Sequence, residues 1–206
     1  MAKSKSSQRW LDAHENDAFV QRARAEGWRG RAVFKLQELD TRYRLIRAGM
    51  TVLDLGAAPG SWCEYVASRL DGRGRIVATD ILAMESIDGV AFFQGDFREA
   101  EVLDEILAFL GESKADLVIS DMSPNMSGMA SVDQPAAMYL AELAMDMASR
   151  TLETGGDFLV KLFQGEGFDA FVADLRRHYD SVIVRKPRAS RPHSREVYAL
   201  ARGRKL

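Results

Sequence analysis

The sequence predicts an α/β fold: a doubly wound, mostly parallel sheet with helices on both faces and an antiparallel C-terminal strand. Three observations carry that prediction. From Met50 onward, short β-rich apolar runs alternate with amphipathic segments of helical period, the pattern of successive βα units. The first run leads through a Gly/Pro turn, Gly56-Ala57-Ala58-Pro59-Gly60, straight into a helical pattern. The connection between the last two runs, 186–194, is too short for a helical crossover, so those strands should be antiparallel.

Each element follows in order. Ser7 is a candidate N-cap for a first helix over residues 8–26, with Trp10, Leu11, Phe19 and Val20 as its apolar face and Gly27 and Gly30 as its punctuation. A second helix carries Val33, Phe34, Leu36, Leu39 and Tyr43 at core-facing spacing. Strands are predicted over 51–55, 75–79, 90–94, 115–120, 157–162, 181–185 and 195–201. Helices are predicted over 61–70, 99–110, 134–152 and 168–178, the long one stopped by Thr154-Gly155-Gly156. The expected organisation is one domain over 1–206: a basic helical segment, 1–49, joined to a catalytic core, 50–206.

Hydrophobic residues make up 47% and charged residues 28% of the 206, the balance of a globular domain that buries a sizeable core. No apolar run approaches the roughly 20 residues of a membrane-spanning helix. The basic N-terminus has no apolar stretch behind it and does not read as a secretory signal. A single cysteine, Cys63, excludes an internal disulfide and a cysteine-rich zinc site, and it reads as a packing residue. These features point to the cytoplasm, with no membrane and no metal. The net charge of −2 hides a strong asymmetry. Residues 1–50 hold 11 Lys/Arg against 6 Asp/Glu, 51–184 hold 9 against 23, and 185–206 hold 8 against 1. Two basic ends thus flank an acidic middle, as solvated tails or as a joint cationic surface for a polyanion.

Ligands of doubly wound sheets bind beyond the carboxyl ends of the strands. There Gly56 permits a sharp turn, Ala57 and Ala58 let a ligand approach the backbone, and Gly60 opens the helix start beside Trp62. Asp80 ends the second strand, where an acid can hold both hydroxyls of an adenosine ribose. Asp54, just before the turn, can meet an amino group, and Asp96 after the third strand can accept from an adenine amine. Each acid alone would be an ordinary turn or cap residue. Gly56 and Gly60 lack the middle glycine of the dinucleotide fingerprint, which disfavours a nicotinamide oxidoreductase, and no Lys-Ser/Thr ending makes a P-loop. Three acids on three consecutive strands suit S-adenosylmethionine better.

Strand four ends in Ser120-Asp121-Met122-Ser123-Pro124-Asn125-Met126-Ser127-Gly128, and strand five in Val160-Lys161-Leu162-Phe163-Gln164-Gly165-Glu166-Gly167. With Arg31-Ala32-Val33-Phe34-Lys35-Leu36, the cofactor loop and Ser194-Arg195-Glu196-Val197-Tyr198, these segments resemble the FtsJ/RrmJ family of ribose 2′-O-methyltransferases along essentially the whole chain. The resemblance implies a catalytic tetrad of Lys35, Asp121, Lys161 and Glu196, with cofactor contacts at Gly60, Trp62, Asp80, Asp96 and Asp121. It also implies a uridine ribose in the A-loop of 23S rRNA, within the large (50S) ribosomal subunit, as target.

The tetrad makes chemical sense. Methyl transfer from a sulfonium is an in-line displacement that needs alignment, and a ribose hydroxyl needs its proton removed. Lys161 is assigned to the hydroxyl, Asp121 to its orientation, and Lys35 and Glu196 to the surrounding hydrogen bonds. Both basic ends lead into tetrad members, so Arg29, Arg31, Arg188, Arg191 and Arg195 are expected to contact RNA phosphates. A transfer-RNA 2′-O-methyltransferase and a non-catalytic adenosylmethionine-binding ribosome assembly factor are the alternatives. A monomer is expected.

Overall fold

The computed structural model describes residues 17–206. Seven strands form one sheet in the order β3-β2-β1-β4-β5-β7-β6. The strands are β1 (Thr51–Leu55), β2 (Arg75–Asp80), β3 (Val90–Gln94), β4 (Ala115–Ser120), β5 (Leu152–Phe163), β6 (Tyr179–Arg185) and β7 (Glu196–Arg204). The helices are α1 (Ala18–Glu26), α2 (Val33–Tyr43), α3 (Ser61–Leu70), α4 (Ala100–Leu110), α5 (Ala130–Thr151) and α6 (Phe168–His178). Strands β1 to β5 pair in parallel. Strand β7 inserts antiparallel between β5 and β6, so the short last connection does join antiparallel strands.

Alternating side chains divide the core between the two faces of the sheet. Leu53, Val118, Phe158, Val160 and Ala199 face α4, α5 and α6. Val52, Leu117, Ile119, Leu159, Tyr198 and Leu200 face α2 and α3. Each fully buried leucine contributes about 2 kcal/mol to holding these layers together. Among the described residues no helix is long and apolar enough to cross a membrane.

Several boundaries differ from the sequence reading, three of them with a structural reason. The described part of the first helix begins at Ala18, capped by Asp17, which accepts the Phe19 N–H at 2.9 Å; Ser7 and residues 8–16 lie outside the described residues. The long helix starts at Ala130 rather than 134, because Pro135 sits one turn inside it. A proline reads as a helix start, yet here Asp133 folds back to accept loop amides and lets the helix begin earlier. The expected stop at Thr154-Gly155-Gly156 instead lies inside β5, as an irregularity between Ala115↔Leu152 and Leu117↔Asp157, with Gly155 at φ 84°.

Candidate active site

The order of strands reverses at β1 and β4, which run side by side with Leu55 opposite Ser120. The next residues, Gly56 and Asp121, therefore leave the sheet together at its switch point. Two strands away, the β5–β7 register sets Lys161 opposite Tyr198 and Phe163 opposite Glu196. By alternation, Lys161, Tyr198 and Glu196 project to the face covered by α2, which supplies Lys35.

These side chains form a closed network around Asp121. Lys161 Nζ lies 3.0 Å from Asp121 Oδ1 and donates to the Asp121 main-chain carbonyl at 2.6 Å. Lys35 Nζ lies 2.9 Å from Glu196 Oε1, 3.0 Å from Oε2, and 3.7 Å from Asp121 Oδ2. The Tyr198 hydroxyl donates to Asp121 Oδ1 at 2.5 Å, and the Ser190 hydroxyl to Glu196 Oε1 at 2.7 Å. The Lys161 side chain is 6% exposed, so two cations and two carboxylates neutralise each other with little help from water. Burial alone would raise the Asp121 carboxyl; the Lys161 and Lys35 cations and the Tyr198 hydroxyl outweigh it and hold it below the ordinary carboxylate range. Burial, then the charges of Asp121 and Glu196, push the Tyr198 phenol far up, so it stays a neutral donor. Sequence reasoning gave Tyr198 and Ser190 no role. The signal for Tyr198 was its spacing of two from Glu196 on one strand, which places both on one face.

The loop after β1 is built as tightly. Gly56 has φ 76°, and a Cβ there would meet Met122 Cγ at 2.3 Å; Gly60 has φ 105°, and a Cβ there would meet Ile87 and Met84. Asp80 accepts the Ala58 and Leu82 amides at 2.9 and 2.8 Å, which fixes the β1 and β2 ends to each other. Asp54 is buried inside this edge. Burial pushes its carboxyl up to about 7 against the opposing hydrogen bond from Cys63, whose Sγ lies 3.1 Å from Oδ2, and Asp121 and Asp80 add to the rise. Cys63 is fully buried, as a packing residue should be. Asp96 is bound through both oxygens by Arg98 Nε at 2.9 Å each. The Trp62 indole donates to the Ala32 carbonyl at 2.8 Å and packs on the Tyr198 ring, leaving its backbone at the first turn of α3. The Ser61 hydroxyl in that turn is buried and bonds no group of the described residues. A row of carboxylates, a backbone-lined turn and one orphaned hydroxyl together form a donor set that fits a nucleoside bearing an amino acid.

The expected RNA contacts divide into two groups. Arg29 is a clamp: its guanidinium binds Glu64 at 2.9 Å and the carbonyls of Pro59, Glu85 and Ser86 at 3.1, 2.8 and 3.0 Å. Arg31 is spent on Asp17, on the Ala189 carbonyl and against the Phe19 ring. In this structure both guanidinium groups are engaged inside the protein and act as braces. The guanidinium groups of Arg188, Arg191 and Arg195 bond no group of the described residues; Arg188 and Arg195 are exposed and Arg191 is half-buried.

A sheet of this order with an antiparallel β7, carboxylates at its ligand edge and a lysine-centred ion network has the architecture of a Rossmann-like methyltransferase. The comparisons agree: residues 28–204 match the family described as FtsJ-like methyltransferase, and the chain belongs to that family. It is 56% identical over 203 residues to ribosomal RNA large subunit methyltransferase E of Stenotrophomonas maltophilia strain K279a, covering 98% of this chain and 97% of that one. The protein of the same name from Chromohalobacter salexigens is 56% identical over 200 residues, covering 97% and 95%. Among solved structures, a Plasmodium falciparum protein described as a ribosomal RNA methyltransferase superposes with TM-score 0.77 at 26% identity, covering 86% of this chain and 98% of that one. Human methyltransferase-like protein 13, solved with SAH, shares the fold at TM-score 0.56 and 19% identity, covering 84% and 82%.

Proposed function

We propose that this protein transfers a methyl group from S-adenosylmethionine to the ribose 2′-hydroxyl of a uridine in the A-loop of 23S rRNA, within the large ribosomal subunit. The observation that carries the reading is the double hold of Asp121 on Lys161 Nζ, through Oδ1 at 3.0 Å and through its own carbonyl at 2.6 Å. The relatives' names supply the substrate class, and the resemblance of the motifs supplies the uridine and its loop.

S-adenosylmethionine supplies an activated methyl on a cationic sulfur, open to in-line displacement. Asp80 would hold the ribose hydroxyls of the cofactor, Asp96 its adenine amine, and Asp54 its amino group, with Gly56, Gly60 and the Trp62 amide giving backbone access. The Ser61 hydroxyl is the natural donor to the cofactor's carboxylate. Lys161 uses two of the three positions around Nζ on Asp121 and turns the third to the target hydroxyl. Once it has released its own proton to solvent, Lys161 would accept the hydroxyl proton as the oxygen takes the methyl, and so return to the cation. Lys35 balances Asp121 and is itself held by Glu196, which the Ser190 hydroxyl fixes in turn, so this arrangement would keep Lys161 from drifting when its charge changes. Lys35 comes from residues 1–49 and the rest from 50–206, so the two segments work as one unit, in the cytoplasm where ribosomes are assembled.

The test is transfer of labelled methyl to undermethylated large subunits, free 23S rRNA and bulk tRNA, followed by nucleoside analysis. The expected result is label on a uridine 2′-oxygen of subunit RNA, lost in Lys161→Ala while cofactor affinity is retained. A wild-type single-turnover rate in Lys161→Ala would refute its role. Label confined to tRNA would replace the substrate, and cofactor binding without transfer would leave an assembly factor.

A further inference from the structure

Eight large hydrophobic side chains are exposed among the described residues, and three fall within 126–132: Met126 at 55%, Met129 at 58% and Val132 at 50%. This segment follows Asp121 out of β4 and runs into the first turn of α5. It is not loose. Asp133, itself buried, accepts from the Ser127 amide and hydroxyl at 2.8 Å each and from the Gly128 amide at 2.9 Å. The neighbouring Gln134 is also buried and donates Nε2 to the carbonyls of Phe163 and Glu166 at 3.0 and 2.9 Å. One helix start therefore fixes both segments that flank the site, the one after Asp121 and the one after Lys161.

Holding apolar side chains in water on a braced loop costs free energy that no packing among the described residues returns. Such a patch marks a contact surface. The charge beside it narrows the partner. Gln134 bonds the Phe163 carbonyl, and Gln164 next to it pairs with Arg195, so Arg195 adjoins this loop. The Ser127 amide and hydroxyl, then the Gly128 amide and the Arg195 cation, hold the Asp133 carboxyl below its ordinary range. The Arg195 carbonyl accepts the Gln164 amide at 3.0 Å, which anchors its backbone while the side chain remains exposed. An apolar lip beside an exposed guanidinium fits a flat ring carrying an anion, the chemistry of a nucleotide.

We infer that 126–132 is the seat of the target nucleotide's base, which packs on Met126 and Met129 while Arg195 takes the adjoining phosphate. The inference rests on the RNA reading above and adds to it a surface that selects the substrate without entering the reaction. Met126 and Met129 are specificity residues by this account, and Asp133 is a positioning residue that keeps them presented.

The experiment measures KM and saturating rate for undermethylated large subunits with Met126→Ser, Met129→Ser and the double variant. Both side chains are exposed, so a retained thermal midpoint checks the fold. The double variant should raise KM about tenfold, with saturating rate and cofactor Kd within about twofold of wild type. Leu206→Ser removes an exposed apolar side chain near the start of β6, at the far end of the sheet, and should leave KM unchanged. An unchanged KM in an active double variant would overturn the inference and leave the RNA reading standing. A wild-type protein that methylates no RNA would remove both. A photoreactive side chain placed at position 129 gives an independent readout: adducts on rRNA support the inference, and adducts on a ribosomal protein overturn it.

Discussion

Replacing Asp54 by Asn isolates the titration of one buried acid. Asp54 is 1% exposed, and its carboxyl is pushed up to about 7 from an ordinary 3.8. Burial is the main cause; the Cys63 thiol opposes it, and the charges of Asp121 and Asp80 reinforce it. Between those two values the folded protein holds a proton that the unfolded chain has released. Unfolding free energy therefore falls as pH rises through this window. The stability tied to that proton is fully present below about 3.8 and lost once pH has passed about 7. A gap of about three units corresponds to about 4 kcal/mol.

Asparagine cannot ionise, and its carbonyl still accepts from Cys63. Urea unfolding of the ligand-free protein should show Asp54→Asn close to wild type near pH 5 and more stable near pH 8.5, by a few kcal/mol. The difference between the two proteins is the diagnostic, since it cancels the titration of groups they share. A difference that stays flat over that range would refute the assignment of a protonated acid at this site.

Three further outcomes test the network and its surroundings. Tyr198→Phe deletes the 2.5 Å bond to Asp121 and should slow single-turnover methyl transfer about tenfold with cofactor affinity kept; a wild-type rate would remove Tyr198 from the positioning of Asp121. Arg29→Ala cuts the clamp on Pro59, Glu85 and Ser86 and should weaken cofactor binding while leaving the salt dependence of RNA binding alone; the opposite pattern would make Arg29 a phosphate ligand. Arg188→Ala and Arg195→Ala should each lower the slope of log affinity against log salt by about 0.7, measured by filter binding, and an unchanged slope would take both off the RNA surface.

Much of the sheet was legible because its signals are local. Strand β1 is buried along its whole length and reads as an apolar run, and the turn from Gly56 to Gly60 announces itself by residue type. The misplaced start of α5 and the irregular start of β5 share a cause. Pro135 and Gly155-Gly156 are strong local signals that tertiary bonds override, through Asp133 and through pairing with β4. Sequence could bring Lys35, Asp121, Lys161 and Glu196 together only by resemblance, since Lys35 and Glu196 are 161 residues apart. It could not tell a solvated arginine from a bound one. Arg29, Arg31, Arg188 and Arg195 look alike as letters, and only the carbonyls and carboxylates packed around the first two separate them.

The division at residue 50 marks a change of pattern, and the bonds that cross it explain why the segment before it matters. Lys35 brings the second cation to a site whose two carboxylates are 18% and 11% exposed. Without it Glu196 would lose its cation and one buried negative charge would go uncompensated, a loss of about 3–5 kcal/mol when a buried ion pair is broken. Arg29, six residues earlier, holds the cofactor turn from the other side through the Pro59 carbonyl, and Trp62 in that turn's helix donates to Ala32 between them. The run from Arg29 to Lys35 thus bonds to both the Gly56–Gly60 turn and the ion network. On the proposed function, a displacement of that segment should loosen cofactor affinity and misplace Asp121 together, which would tie the binding step to the alignment step through a segment outside the sheet.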